Sequence, residues 1–418
     1  MTYGVVKPGP EDPDHGVLFI RGGDIGEGRV LTEQLRTITR EVSKQYRRTQ
    51  LRGGEIVVSL VGNPGQVAIV PESLRGANIA RQAGLVRLRK DVDTRFVKYF
   101  LSSRAGQEAL GSHSLGSVQQ VINLRDLRTV RVPVPPLAEQ RAIAHILGTL
   151  DDKIELNRRM SETLKAMARA LFKSWFVDFE PVRARAERRD PGLPEHLSGL
   201  FPDSFEDSAM GEIPKGWEVG PLGDVVEHLR DNEDPLDSPD QQFRHFSIPA
   251  FDDGQWPTAE LGASIKSQKT RVPPGVVLLS KLNPEIERVW LVDVEPGDRA
   301  VCSTEFLVLS PRSPHGRAFA YCAMKSPTFR QELEGLVTGT SKSHQRAQPT
   351  AILPLAITKP RVELTVTFER IANPLIARAL GCRRESRTLA ALRDALLPRL
   401  VSGELRLKRS GTLSGAVA

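Results

Sequence analysis

The sequence predicts an α+β protein: two mixed α/β globules separated by two long helices that pair as an antiparallel coiled coil, the whole forming a pseudo-twofold internal repeat. Three observations carry this. A shift of 225 residues lays 150–172 on 375–397 with nine identities in twenty-three ungapped positions, among them Arg158/Arg383, Arg159/Arg384, Ser161/Ser386 and Leu164/Leu389. A shift of 221 to 223 lays "GEIVVSLVGNPGQVAIV" on "GVVLLSKLNPEIERVWLV" and then "GLVRL" on "EFLVL", with the order of elements kept, which marks a duplicated unit. Finally, "LDDKIELNRRMSETLKAMARALFKSWF" (150–176) runs without Pro or Gly through the middle of the chain, where a long amphipathic helix separates segments that read as strands and turns.

The first globule spans 1–136. Its short β-rich runs at 56–60, 66–70 and 85–88 are bounded by Gly and Pro. "VRVPVPP" (130–136) cannot be helical and halts the chain before a helical period begins at Leu137. A first helical spacer covers 137–180 and a linker 181–212. The second globule, 213–360, has its strands at 276–280, 289–292 and 306–309. A second helical spacer covers 361–405, with Asn373-Pro374 reading as an N-cap and first helical residue and Pro398 with Gly403 as its end, and 406–418 is a tail. The run "GEIPKGWEVGPLGDVV" that opens the second globule has no mate before residue 1. The first globule is therefore expected to lack its opening strand, either through natural variation or because the true start lies upstream.

Both helices carry a seam at alternating steps of four and three. In the first it includes Leu147, Leu150, Ile154, Asn157, Leu164 and Leu171; shifted by 225 it includes Leu375, Leu389 and Leu396. Antiparallel pairing would bring Asn157 and Ser161 near Cys382 and Ser386 and leave Lys153, Glu155, Arg158, Glu162 and Arg169 outward. A rod of about 30 residues at ~1.5 Å each is roughly 45 Å long, about 13 base pairs of duplex at ~3.4 Å. If the globules read DNA, such a spacer would set two half-sites apart.

With 418 residues and 39% hydrophobic content, each globule can bury its own core. No run of eighteen apolar residues and no secretory leader are present, so a cytoplasmic location is expected. Cys302, Cys322 and Cys382 follow no metal or redox spacing and read as reduced, packed thiols. Net charge is +7, unevenly spread. Lys plus Arg against Asp plus Glu is 20 to 13 over 1–136, 7 to 7 over 137–180, 4 to 7 over 181–212, 16 to 19 over 213–360 and 11 to 5 over 361–418. Basic blocks of this kind suit a phosphate backbone.

Two matched places hold candidate DNA contacts. Before a strand in each globule lie Arg36, Arg40, Lys44, Tyr46, Arg47, Arg48 and Arg52, matched by Lys266, Lys269 and Arg271. Before each helix approach lie Gln119, Gln120 and Asn123, matched by Lys342, His344, Gln345 and Arg346. Arg and Lys meet phosphates or guanine, and Gln or Asn pair with adenine; a solvated charged loop is the alternative for each cluster. Neither "GNPG" at Gly62 nor "LNPE" at Leu282 is the Asn-Pro-Pro-aromatic element that adenine methylation requires, and no P-loop occurs, so no catalytic residue and no metal site is assigned.

The runs "VPVPPLAEQRAIAHILGTLDDKIELNRRMSETLKAMARALFKSWFVDFEPVRA", "GLPEHLSGLFPDSFEDSAMGEIPKGWEVGPLGDVV" and "TLAALRDALLPRLVSGEL" resemble the specificity subunit of type I restriction-modification systems, in the expected order over nearly the whole chain. The resemblance implies two target-recognition domains, 1–136 and 213–360, each reading half of a bipartite site in double-stranded DNA with an unread gap. It also implies helices that bind two modification (methyltransferase) subunits, with restriction/translocase subunits completing a phage-defence nuclease. No cofactor is expected on this chain; S-adenosylmethionine, ATP and Mg are implied for the partner subunits, and the chain itself is expected to be non-catalytic. The sequence departs from its own symmetry at "KPRVELTVTFERIA", which stands where the first repeat has "PPLAEQRAIAHIL". A degenerate specificity subunit acting as a protein–protein scaffold is the other reading, and the target sequence itself is not legible.

Overall fold

The computed structural model describes residues 2–26, 28–111, 121–337, 345–407 and 413–415. The chain divides into two compact units, Met1–Asn157 with Glu385–Ala418, and Arg158–Arg384. The division passes through both long helices rather than at their ends.

In the first unit, Ile56–Ser59 is apolar at nearly every position, the pattern of a strand covered on both faces. It lies between Ala83–Val86 and Val67–Ile69, with Thr2–Tyr3 beyond Ala83–Val86, all antiparallel. Side chains alternate across a strand, so Ile56 and Val58 enter one core and Val57 another. The first core is closed by Phe96 and Phe100 of the helix Thr94–Ser102 and by two stretches of long helix, through Ile143 and Leu147 and through Leu397 and Leu400. The second core reaches a small sheet in which Val17–Ile20 runs parallel to Asn78–Ile79 and antiparallel to Arg36–Ile38.

The second unit repeats this plan. Val226–Leu229, Phe306–Pro311, Val277–Ser280 and Val289–Leu291 form the same four-stranded antiparallel sheet in the same order. Gln242–Phe246 is again parallel to one neighbour, Ala300–Cys302, and antiparallel to another, Thr258–Leu261. Helices Arg317–Met324 and Pro327–Gly335 answer Thr94–Ser102 and Arg104–Gly111. Its main core is aromatic: Phe176 sits 5.0 Å from Phe172, 5.3 Å from Phe319 and 5.2 Å from Phe368, centroid to centroid, in tilted and edge-to-face contacts. One strand pair is not duplicated. Glu218–Pro221 pairs with Ala356–Lys359, whereas the matching run 130–136 carries no strand among the described residues. The three cysteines are buried and free, and burial pushes the Cys302 and Cys322 thiols up to about 12.

The long helices are Leu137–Phe176 and Val362–Val401. The expectation that the second begins at Asn373-Pro374 is corrected: Pro374 lies inside it. A proline there removes one backbone hydrogen bond and crowds the preceding turn, at about 3 kcal/mol. The cost is carried because Leu364, Phe368, Ala372 and Ile376 form an unbroken stripe at steps of four, each fully buried in the second unit's core. Burying Leu, Phe and Ile is worth roughly 1.5–3 kcal/mol apiece, while Pro374 points to the exposed side.

Within each unit the helix segments run antiparallel. In the first, Lys153 and Asn157 meet Glu385 (3.4 and 3.0 Å) while Asp151 meets Arg393 (2.7 Å); in the second, Phe172 and Phe176 lie on Phe368. Of the predicted seam residues, Leu147 and Asn157 are fully buried. Leu150, Ile154, Leu164, Leu171, Leu375, Leu389 and Leu396 are half-buried, with Ile376 and Leu397 deeper than their predicted neighbours. A straight helix drifts about 20° per heptad against a strict seven-residue repeat, which moves the deepest position by one residue.

The charged centre of the first unit is Asp151. One carboxylate oxygen accepts from Lys98 Nζ (2.8 Å) and Tyr99 OH (2.7 Å), and the other from Arg393 Nη1 (2.7 Å). Burial alone would raise the Asp151 carboxyl, but the Lys98 charge and the hydrogen bonds from Lys98, Tyr99 and Arg393 outweigh it and hold the group below the usual carboxylate range. Asp151→Ala would strand Lys98 without a counter-charge and leave Arg393 only Asp394, and is expected to destabilise the first unit by about 3–5 kcal/mol in denaturant unfolding; a loss under about 1 kcal/mol would contradict the arrangement. Since the unfolded carboxyl titrates near ~3.9 and the folded one lower, this contribution is complete above roughly pH 5 and is lost as pH falls through the folded value. Pro374→Ala is expected to act the other way. It should raise the free energy of the urea transition that contains the second unit by up to about 3 kcal/mol, and a fall in stability would show that the proline is needed where it stands.

Candidate nucleic-acid interface

The basic cluster of the first unit is built on a buried amide. Thr39 caps the helix Arg40–Gln45, its hydroxyl accepting from Val42 N at 3.4 Å. Asn78, fully buried, accepts from Ser43 Oγ (2.7 Å) and donates to the Tyr46 carbonyl and Thr49 Oγ1 (3.2 Å each), so one side chain ties the helix to the following turn, Arg47–Thr49. The Tyr46 ring packs against Val5, Phe19, Ile38 and Ala80. Arg87 reinforces the turn from outside, donating to the carbonyls of Arg48 (3.2 Å) and Gln50 (2.7 Å) and pairing with Glu55 at 3.0 Å.

What this frame presents is a set of exposed cations. Lys44, Arg47 and Arg48 are exposed and make no ion pair among the described residues. Arg40 donates to the His15 carbonyl at 3.0 Å, Arg36 pairs with Glu11, and Arg52 is exposed beside Glu55, which accepts from its backbone N–H at 2.7 Å. Tyr46 is the half-buried anchor rather than a surface group. Asn123 heads the helix Leu124–Thr129, and its amide donates to Asp126 at 3.2 Å. Gln119 and Gln120 lie outside the described residues.

The matched candidates of the second unit are placed differently. Lys269 is buried, its ammonium donating to the Ser267 carbonyl at 2.9 Å, and burial lowers its pKa. Arg271 is held by Glu233 at 2.9 Å and Asp231 at 3.5 Å. Arg346 grips Glu305 through Nε (3.0 Å) and Nη2 (2.9 Å). Lys266 is exposed and bonds the Ala263 carbonyl at 2.7 Å. The Gln345 carbonyl accepts from Asn283 N at 2.8 Å, and Lys342 and His344 lie outside the described residues. Among the described candidates, the exposed cations that neither pair with a carboxylate nor bond a carbonyl are thus those of the first unit, Lys44, Arg47 and Arg48 among them.

The helices add a second cationic place, of which the sequence singled out only Arg169, as part of an outward face. Lys165, half-buried, has its pKa lowered to about 8 by burial first and then by Arg383 and Lys325, with Arg169 adding to the effect and Glu162 opposing it. Lys153, expected to point outward, instead reaches Glu385.

Sequence reasoning also passed over the tips of the two central hairpins. Gln107 Nε2 donates to the Gly65 carbonyl at 2.9 Å, and Arg330, 223 residues later on the matching helix, donates to the Pro284 carbonyl. The texts "GNPG" and "LNPE", set aside as catalytic motifs, are therefore braced turns at equivalent places. Nothing in the local sequence marks Gln107 or Arg330 for that task; only the 223-residue correspondence could have found them. Among the described residues, no helix is long and apolar enough to cross a membrane.

A family model described as the type I restriction modification DNA specificity domain matches residues 12–166. The type I restriction enzyme HindI specificity subunit of Haemophilus influenzae is 25% identical over 336 residues, covering 68% of this chain and 71% of that one. The MjaIX specificity subunit of Methanocaldococcus jannaschii is 25% identical over 385 residues, covering 89% and 82%. The EcoBI specificity subunit of Escherichia coli is 36% identical over a shorter stretch, 34% of this chain and 30% of that one. The fold is shared with the crystal structure of a type I restriction-modification S subunit from M. genitalium, at a TM-score of 0.52 and 14% identity over 96% of this chain and 92% of that one. With the duplicated globule-and-helix plan, these likenesses make the chain similar along most of its length to type I restriction-modification specificity subunits.

Proposed function

We propose that this chain is the DNA-recognition subunit of a type I restriction-modification complex, binding a bipartite target in double-stranded DNA and docking modification subunits. The observation that carries the reading is the duplication: two globules of one plan, each with a braced hairpin tip and a basic or polar loop, each continuous with a segment of both long helices. Methyl transfer, ATP use and cleavage, with S-adenosylmethionine, ATP and Mg, belong in this reading to partner subunits in the cytoplasm, and the chain contributes no catalytic group. Lys44, Arg47 and Arg48 act as phosphate contacts because they are exposed, unpaired and held by a buried frame.

One observation favours a second reading, a specificity subunit that organises partners without sequence-specific contact. Arg271 and Arg346 already spend their charge on Glu233, Asp231 and Glu305, and Lys269 is buried. Mapping methylated adenines in the host with and without this gene separates the two. Two short blocks with a fixed gap, lost on deletion, are expected; no gene-dependent bipartite motif would leave only the scaffold. In the assembled complex, Arg47→Ala with Arg48→Ala is expected to weaken binding about equally for all duplexes. The slope of log affinity against log salt should fall in magnitude by about two, and an unchanged slope would remove both residues from the backbone contact.

A further inference from the structure

The first unit holds a groove of about 580 Å3 that none of the candidate clusters includes. Its lining brings together four separate stretches: Arg21 and Gly23, then Gln34, then Val61 and Gly62 at the braced hairpin tip, and Gln82. The walls are fixed. Ser59 Oγ donates to the Val61 carbonyl at 3.3 Å, and Gly65 N donates to the Ser59 carbonyl at 2.9 Å. Gly22 packs so closely that a Cβ there would stand 2.3 Å from the Val61 oxygen.

Charge decides what such a groove can take. Arg21 forks onto Asp24 through Nε (3.1 Å) and Nη2 (2.8 Å), and Glu33 pairs with Arg29 at 3.3 Å. Each carboxylate is matched by one guanidinium, so no surplus positive charge is offered to a phosphate. The side chains with open hydrogen-bonding capacity are the amides of Gln34 and Gln82, which have no partner among the described residues, and the apolar Val61 at the rim is 36% exposed. An amide presents one acceptor and two donors side by side, the complement of adenine N6 and N7 in the major groove, and an apolar group beside it suits the thymine methyl.

We infer that this groove reads an A·T base pair of the first half-site, Gln34 and Gln82 meeting the adenine edge and Val61 the thymine methyl. The inference rests on the recognition role proposed above and adds to it which residues discriminate and for which base pair. It also assigns a division of labour within the first unit, with Lys44, Arg47 and Arg48 on the backbone and the neutral groove on the bases.

The test uses the chain assembled with its modification subunits and duplexes in which each base pair of the first half-site is replaced in turn. Two variants are compared with the unaltered complex. Gln34→Ala with Gln82→Ala removes the amides. Gly23→Leu plugs the groove without disturbing its surroundings, because no atom lies within 4 Å of a Cβ built at Gly23. The unaltered complex is expected to prefer A·T over G·C at one position or more by about tenfold to a hundredfold. In both variants that preference should fall close to unity, with second-half preferences and the salt slope unchanged. If Gly23→Leu does not assemble, the glutamine pair alone decides, since neither side chain supports the fold. Retained discrimination in the glutamine variant, or a reduced salt slope, would overturn the inference while leaving the recognition role intact. An unaltered complex with no sequence preference at all would instead remove the recognition role and this inference with it.

Discussion

A single half-buried carboxylate organises the first unit. Asp151 accepts from Lys98 and Tyr99 on the helix Thr94–Ser102 and from Arg393 on the second long helix, so three elements far apart in sequence share one anion. Its counterpart under the 225-residue shift is Ile376, fully buried in the second unit's aromatic core, where Tyr321, Cys322 and Ala168 stand in place of Lys98, Tyr99 and Arg393. The two units solve one packing problem by opposite chemistry. A helix segment meant for one site is penalised at the other: an apolar side chain would leave Lys98 uncompensated, and a carboxylate among Phe172, Phe176 and Phe368 would be desolvated without a partner.

Much of the fold was legible because duplication writes it twice. The runs at 56–60 and 276–280 each look ambiguous alone, yet their matching flanks identify them as the central strand of one sheet. What escaped was whatever depends on contacts distant along the chain. Pro374 reads as a helix start because local rules place proline there, and only the stripe from Leu364 to Ile376 overrides them. Asp151 looks like one more charge on an amphipathic helix, since its partners lie 52, 53 and 242 residues away.

The candidate site was legible as composition but not as geometry. Counting Arg and Lys finds the stretch from Arg36 to Arg52, but not Asn78, whose amide decides that Lys44, Arg47 and Arg48 face outward on a rigid turn. Equal sequence signals also led to unequal surfaces. Lys269 and Arg271, two apart on the strand Lys269–Arg271, occupy the matched place, yet one is buried and the other is neutralised by the carboxylates of Glu233 and Asp231.

The discontinuity of the first unit bears on how the chain matures. Its core needs Leu397, Leu400 and Leu405, which follow the whole of the second unit in sequence, whereas the second unit is one unbroken stretch, Arg158–Arg384. Synthesis runs from the N-terminus, so the earlier-made globule, already covered in part by Phe96, Phe100, Ile143 and Leu147, lacks the share of its core that Leu397, Leu400 and Leu405 fill until the second long helix has been made, while the later-made one has all its parts beforehand. Loop closure across so long an interval is slow compared with local folding. The order of completion is thus the reverse of the order of synthesis, and the exposed interval falls on the half that carries Lys44, Arg47 and Arg48.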